Sequence, residues 1–161
     1  MEFPWVAEGR KLIGLHEIKG PQHAPEVVQM WKDIKRGGIK DDETPWCAAF
    51  VGAMLERVGI KSSRFESAAS YLNWGFKLPN PAYGCVVVFT RDGGGHVGFC
   101  VGQTANGDLL ILGGNQSDAV NIKAFKRDRV SGYVWKYEMG EFPKENYNLP
   151  IGEAQLSNKE S

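Results

Sequence analysis

Apolar residues recur three and four positions apart through the first half of the chain, which is the spacing of amphipathic helices. Prolines suited to a first helical turn precede these stretches, and glycines follow them. The pattern predicts three helices and a shorter fourth one. They cover residues 4–15, 25–36, 45–58 and 67–75, with Thr44 as the cap of the third.

After Pro79-Asn80-Pro81 the pattern changes to that of short strands. Val86-Val87-Val88-Phe89 is an apolar, β-branched run between turn residues, and four further short segments follow it. Those segments cover residues 96–102, 109–113, 120–125 and 132–137. Because strands follow helices with little interleaving, we predict the α+β class, with N-terminal helices packed on an antiparallel sheet of about five strands.

The chain is predicted to hold one domain and a tail. Its 161 residues allow a single core to remove roughly 70% of the unfolded surface from water, so stability requires neither disulfides nor a structural metal. We assign residues 1–137 to this domain. From Glu138 onward the chain is polar and contains two prolines, so we expect residues 138–161 to form a loosely attached polar tail.

Charge and hydropathy argue against several kinds of partner. Lys and Arg together number 19, and Asp and Glu together also number 19, so the chain has no basic excess for binding nucleic acid. No apolar stretch approaches the roughly 20 residues that span a bilayer, so no membrane insertion is expected. The N-terminus has neither a basic region nor an apolar run, so we expect no secretory signal and synthesis in the cytoplasm. We also expect a monomer.

The cysteines and histidines do not form a recognisable metal or disulfide pattern. Cys47, Cys85 and Cys100 include no C-x-x-C pair, and the three histidines lack the spacing of a zinc site. We therefore predict no metal and no cofactor. Cys85 and Cys100 are interpreted as small core residues.

Cys47 lies in the first turn of the third predicted helix. Unpaired backbone N–H groups and the positive end of the helix dipole favour an anion there, and the thiolate is the nucleophilic form of cysteine. Cys47 is therefore a candidate catalytic nucleophile. The alternative is a small buried residue on the apolar stripe of the helix, and a neighbouring base is needed to decide.

His96 is the candidate base. It follows Gly93-Gly94-Gly95, which lets a substrate or another backbone come close, and it opens an apolar strand. We expect Gly95, and Trp46 beside Cys47, to contact substrate. The alternative for His96 is a surface histidine at a strand edge.

A hairpin supplies a third candidate. If residues 96–102 and 108–114 pair around the turn at 104–107, His96 faces Asn115. A shift of register would bring Gln116 or Ser117 alongside instead. Any of these groups could hold the imidazole in the tautomer that leaves its other nitrogen facing the thiol. A plain turn at the glycines before Asn115 is the alternative.

Three stretches together resemble the NlpC/P60 and CHAP superfamily of cell-wall cysteine peptidases and amidases, and in particular a small branch that bacteriophages encode as endolysins. They are residues 41–51 (DDETPWCAAFV), 93–99 (GGGHVGF) and 113–122 (GGNQSDAVNI). The resemblance covers roughly residues 4–137. It implies a papain-like fold and hydrolysis of an amide bond in the peptide part of bacterial peptidoglycan, acting on the wall after release from the cell.

The resemblance also implies roles for single residues. Cys47 matches the nucleophile of the superfamily, His96 its general base and Asn115 its polar third residue. The acidic run Asp41-Asp42-Glu43 either complements the dipole of the third helix, the interpretation that we favour, or orients a substrate amine or a cation. Calcium occurs in some CHAP relatives. Three other functions remain open: an acyltransferase, an amidase toxin of interbacterial competition, and a catalytically silent binding module on the same fold.

Overall fold

The computed structural model describes residues 2–18, 24–39, 45–91, 94–142, 144–154 and 156. Within these residues the helices α1 (Pro4–Lys11), α2 (Pro25–Asp33) and α3 (Cys47–Arg57) come first, followed by a 3-10 helix at Ala68–Asn73. The strands are β1 (Phe76–Leu78), β2 (Val86–Arg91), β3 (Gly94–Gln103), β4 (Leu109–Gly113), β5 (Asn121–Phe125) and β6 (Val130–Trp135). Further 3-10 helices lie at Arg127–Arg129, Tyr137–Met139 and Lys144–Tyr147.

The six strands of the described chain form one antiparallel sheet in the order β1-β6-β2-β3-β4-β5. The predicted α+β class with helices on an antiparallel sheet is confirmed. The strand missing from the prediction is β1, which pairs with β6 from Phe76 opposite Trp135 to Leu78 opposite Tyr133. Three residues are too few to show a strand's alternation, so the hydrophobic pattern could not reveal β1.

Helix α3 is the central helix. It begins at Cys47, two residues later than predicted, and its first backbone bond joins the N–H of Phe50 to the carbonyl of Trp46 at 2.9 Å. Its residues from Cys47 through Leu55 are all buried, against α1, α2 and β3. The predicted cap, Thr44, lies outside the described residues. The start at Cys47 puts this thiol at the end of the helix where backbone N–H groups lack helical partners.

The sheet curves strongly around β3. Phe89 on β2 and Phe125 on β5 have ring centroids 4.6 Å apart, although β3 and β4 lie between their strands. Gly98 makes room for this curvature, because a Cβ there would lie 2.4 Å from Ile111 Cγ2. The ring of His96 lies on the same concave face, stacked 5.3 Å from Phe125 with the planes 12° apart.

The described residues of the C-terminal segment, 138–142, 144–154 and 156, are docked on the domain rather than loosely attached as expected. The N–H of Gln103 donates to Pro150 O at 2.9 Å, the N–H of Tyr83 donates to Asn146 O at 2.7 Å, and Met139 is buried. These partners lie dozens of residues earlier in the chain, so the polar composition of the segment did not reveal the docking. The domain boundary at residue 137 stays a prediction.

Candidate active site

The thiol of Cys47 and the imidazole of His96 form a side-chain hydrogen bond. Cys47 is 3% exposed and His96 is 1% exposed, so the contact is almost entirely shielded from water. Helix α3 supplies the sulfur, and β3 supplies the ring. The two residues that the sequence offers as nucleophile and base therefore lie together, and their catalytic roles stay a prediction.

This contact forms where β3 and β4 separate. The N–H of Cys100 donates to the carbonyl of Cys85, the residue just before β2, so the alternation of an antiparallel strand directs the N–H of Val97 towards the β4 side. Strand β4 pairs with β3 only as far as Leu112. The N–H of Val97 therefore lies beyond the paired ladder, where it bonds to the sulfur of Cys47.

The pKa of the Cys47 thiol is lowered from its ordinary value of 9.0. Burial by itself raises this pKa, but the hydrogen bond and charge of His96 and the backbone hydrogen bonds of Val97 and Ala48 outweigh the burial. The N–H of Ala48 belongs to the first turn of α3, so the helix end contributes directly to the stability of the thiolate.

The pKa values of the other two cysteines are shifted in the opposite direction, upwards. Burial raises the pKa of Cys85 well above its ordinary value, and burial raises the pKa of Cys100 to about 12. Both side chains are fully buried. They remain protonated thiols at neutral pH, which agrees with their interpretation as core residues.

We expect these differences to appear in a titration of the native protein. Thiolate absorbance in the ultraviolet should rise in one step with a midpoint below 9.0, because Cys47 alone has a lowered pKa among the three cysteines. The step should vanish in Cys47→Ala. A midpoint at or above 9.0 would show that burial outweighs the contacts with His96 and the backbone.

The group bonded to the other side of the imidazole is Gln116. Its Oε1 lies 2.8 Å from His96 Nε2, which leaves Nδ1 as the ring nitrogen for the sulfur. Gln116 is 3% exposed. Gly113 allows the close approach, because a Cβ there would lie 2.3 Å from Gln116 Oε1 and 3.3 Å from His96 Nε2.

The sequence predicts Asn115 as the residue beside the imidazole, with Gln116 as an alternative. The predicted hairpin register is present at Phe99 opposite Leu112 and Cys100 opposite Ile111, whereas a bulge shifts the two pairs nearest the turn by one residue. The paired register ends before His96, and Asn115 has a φ of 58°. A turn with positive φ redirects the chain, so extending the register from the hairpin does not identify the side chain that reaches the ring.

The N-terminal segment holds the loop that carries Gln116. His16 forms a bridge with Ala119, and the N–H of Glu17 donates to Asp118 O at 2.9 Å. Within the loop, the N–H of Gln116 donates to Ala119 O at 3.0 Å. These bonds fix the loop from two sides, which makes the position of Gln116 a property of the tertiary structure.

Comparison with protein families adds the decisive observation. Residues 39–115 match the CHAP domain family. The chain contains a CHAP domain. The match begins before α3 and ends at Asn115, so it includes Cys47 and His96, whereas Gln116 is the first residue beyond it. Comparison with curated proteins and with solved structures gave no significant match.

The CHAP domain indicates the general chemistry of the protein. Its presence indicates a hydrolase of the amidase or peptidase type with peptidoglycan as its substrate. The helices and antiparallel sheet agree with the papain-like fold of such domains. In the part of the chain that the structure describes, no helix is both long enough and apolar enough to cross a membrane.

Trp46 packs inside the CHAP domain instead of lining an open cleft. Its ring has no exposed surface, its Nε1 donates to Glu17 Oε1 at 3.2 Å, and a Cβ on Gly114 would lie 2.7 Å from its Cζ3. In this conformation the ring cannot stack on a substrate, and its described contacts are those of a core residue. Gly95 is partly exposed, and its contact with substrate stays a prediction.

The structure does not test the predicted alternatives for the acidic run, because Asp41, Asp42 and Glu43 lie outside the described residues. Among the residues that are described, no group of three or more His, Cys, Asp and Glu side chains is arranged to hold a metal ion.

Proposed function

We propose that the protein is a cysteine peptidase or amidase that hydrolyses an amide bond in the peptide part of peptidoglycan. The observation that carries this proposal is the buried contact between the Cys47 thiol, whose pKa is lowered, and the imidazole of His96. The CHAP domain supports peptidoglycan as the substrate. The resemblance to phage lysins supports the finer proposal of an endolysin that acts after release from the cell.

The proposed reaction proceeds in two halves. His96 takes the Cys47 proton, and the sulfur attacks the amide carbonyl carbon to form a tetrahedral oxyanion. The imidazolium protonates the nitrogen as the C–N bond breaks, which releases the amine and leaves a thioacyl enzyme. The same ring then deprotonates water, the hydroxide attacks the thioester, and the sulfur leaves as the carboxyl product forms.

The first turn of α3 offers a donor for the oxyanion. The first helical bond comes from the N–H of Phe50, so the N–H groups of Cys47, Ala48 and Ala49 have no acceptor within the helix. The Ala48 group bonds to the sulfur. We assign the N–H of Cys47 to the oxyanion, a contact whose loss typically costs on the order of 10²-fold to 10³-fold in rate.

Gln116 takes the third role in this mechanism. An amide oxygen can only accept a hydrogen bond, so the contact between Gln116 Oε1 and His96 Nε2 requires the proton on Nε2. The lone pair of Nδ1 is then available to take the thiol proton. This observed contact, at 2.8 Å, is the reason that we assign the role to Gln116.

Mass spectrometry of fragments released from a defined peptidoglycan tests the proposal. We expect stem-peptide fragments that have gained one water across an amide bond, with the glycan linkages intact. The same digest with an added amine separates hydrolysis from acyl transfer, because a transferase would build that amine into the product. Cleavage confined to glycan bonds, or products that carry the added amine, would contradict the proposal.

A further inference from the structure

The amide of Gln116 is surrounded by oxygen acceptors on its nitrogen side. Its Nε2 lies 3.2 Å from Ile111 O, 3.0 Å from Asn121 O and 2.9 Å from Asn121 Oδ1. If the amide were turned over, its oxygen would face these three oxygens without a proton between them. The surroundings therefore select one orientation, with the oxygen directed at His96.

The side chain of Asn121 forms hydrogen bonds with both the side-chain amide and the backbone carbonyl of Gln116. Its side-chain Oδ1 accepts from Gln116 Nε2 at 2.9 Å, while its Nδ2 donates to the backbone carbonyl of Gln116 at 2.8 Å. The backbone carbonyl can only accept, so it fixes the orientation of the Asn121 amide as well. Asn121 begins β5 directly opposite Gly113, the residue that leaves space for the Gln116 amide.

We propose that Asn121 is a positioning residue of the active site, which acts through Gln116 to set the tautomer of His96. This inference rests on the proposed Cys–His mechanism. Hydrogen bonds run from Asn121 through Gln116 to His96, and the ring reaches the sulfur of Cys47. Asn121 lies outside the residues that match the CHAP domain family.

The tautomer decides whether the ring can act as a base towards the sulfur. With Gln116 Oε1 against Nε2, the proton of neutral His96 stays on Nε2 and the Nδ1 lone pair faces Cys47. If the Gln116 amide turned over, its N–H would require an acceptor at Nε2, and the ring proton would move to Nδ1. The neutral ring would then offer the thiol a donor instead of a base.

Two substitutions separate the orientation of the amide from the attachment of the loop. Asn121→Asp keeps an acceptor for Gln116 Nε2 but loses the donor to the Gln116 carbonyl. Asn121→Leu has a similar size and loses both side-chain contacts, so that only the backbone carbonyls of Ile111 and residue 121 still accept from the Gln116 nitrogen. A positioning role predicts that only the leucine variant lowers the hydrolysis rate, by roughly five- to tenfold, the equivalent of about one net hydrogen bond.

Nitrogen-15 NMR of the histidine ring tests the tautomer without substrate. In a Cys47→Ala background, where no thiolate perturbs the ring, His96 should be the Nε2–H tautomer in the parent and in Asn121→Asp. Asn121→Leu should shift towards Nδ1–H. An unchanged tautomer in Asn121→Leu, or equal rate losses in both variants, would overturn the positioning role.

The spectrum also separates this inference from the proposed function. A parent protein that releases no peptidoglycan fragments, but whose tautomer responds to Asn121 as expected, would reject the hydrolase proposal and keep the positioning role. A parent protein that hydrolyses peptidoglycan, but whose His96 tautomer does not change in Asn121→Leu, would keep the hydrolase proposal and reject the positioning role.

Discussion

Replacing Cys47 with alanine should reduce the rate of peptidoglycan amide hydrolysis by at least about 10⁴-fold, because the covalent intermediate can no longer form. His96→Ala should produce a loss of the same order, since the ring creates the thiolate that attacks. The two side chains act as one unit through their hydrogen bond. The double variant should therefore be no slower than either single variant.

Release of soluble stem peptide, measured with equal amounts of folded protein, checks this expectation. Cys85→Ala is the matched control, since it removes a buried thiol whose pKa is raised and which lies outside the proposed machinery. It should retain activity. A Cys47→Ala protein that degrades walls as fast as the parent would exclude the thioacyl route and favour a different mechanism on this CHAP domain.

Gly113→Ala should cause the second large loss, on the order of 10²-fold in kcat. The added methyl group would lie 2.3 Å from Gln116 Oε1 and 2.9 Å from its Cδ. The Gln116 amide cannot relieve this clash by rotating in place, because its nitrogen donates hydrogen bonds to Ile111 O and Asn121 O. The amide as a whole must move away from residue 113. The clash therefore breaks the contact with His96, and an imidazole held in the wrong tautomer is known to cost up to about 10⁴-fold.

The control for this substitution is Gly38→Ala, where an added Cβ meets nothing within 4 Å. That variant should match the parent in rate and in unfolding temperature. Gly113→Ala should lose rate while keeping a cooperative unfolding transition, since the loop remains tied to Ala119 and to the N-terminal segment. Full activity in Gly113→Ala would remove Gln116 from the mechanism.

Much of the fold could be predicted because its signals are local. Prolines and glycines mark the ends of helices, and apolar β-branched runs mark strands. Counting residues across the short turn also gave the pairing of Cys100 with Ile111, although a bulge between Cys100 and Gly102 shifts the pairs next to the turn by one residue. The start of α3 was misplaced by two residues, because Pro45 suits a first helical position but is not part of the helix.

Features that depend on residues far apart in the chain could not be predicted from the hydrophobic pattern. The burial of Trp46 requires Gly114 and Glu17, which lie far from it in the chain. The docking of the C-terminal residues requires Tyr83 and Gln103. None of these contacts leaves a periodic signal near the residue that makes it.

By itself, the sequence determined the class of the fold and the two candidate catalytic side chains, because cysteine at a helix start and histidine beside a glycine loop are recognisable from neighbouring residues. Only the tertiary structure decided that the thiol and the ring touch and that Gln116, one position after Asn115, reaches the imidazole. The reason is geometric. A hydrogen bond depends on differences of a few tenths of an ångström, which here follow from the separation of β3 from β4 and a turn with positive φ.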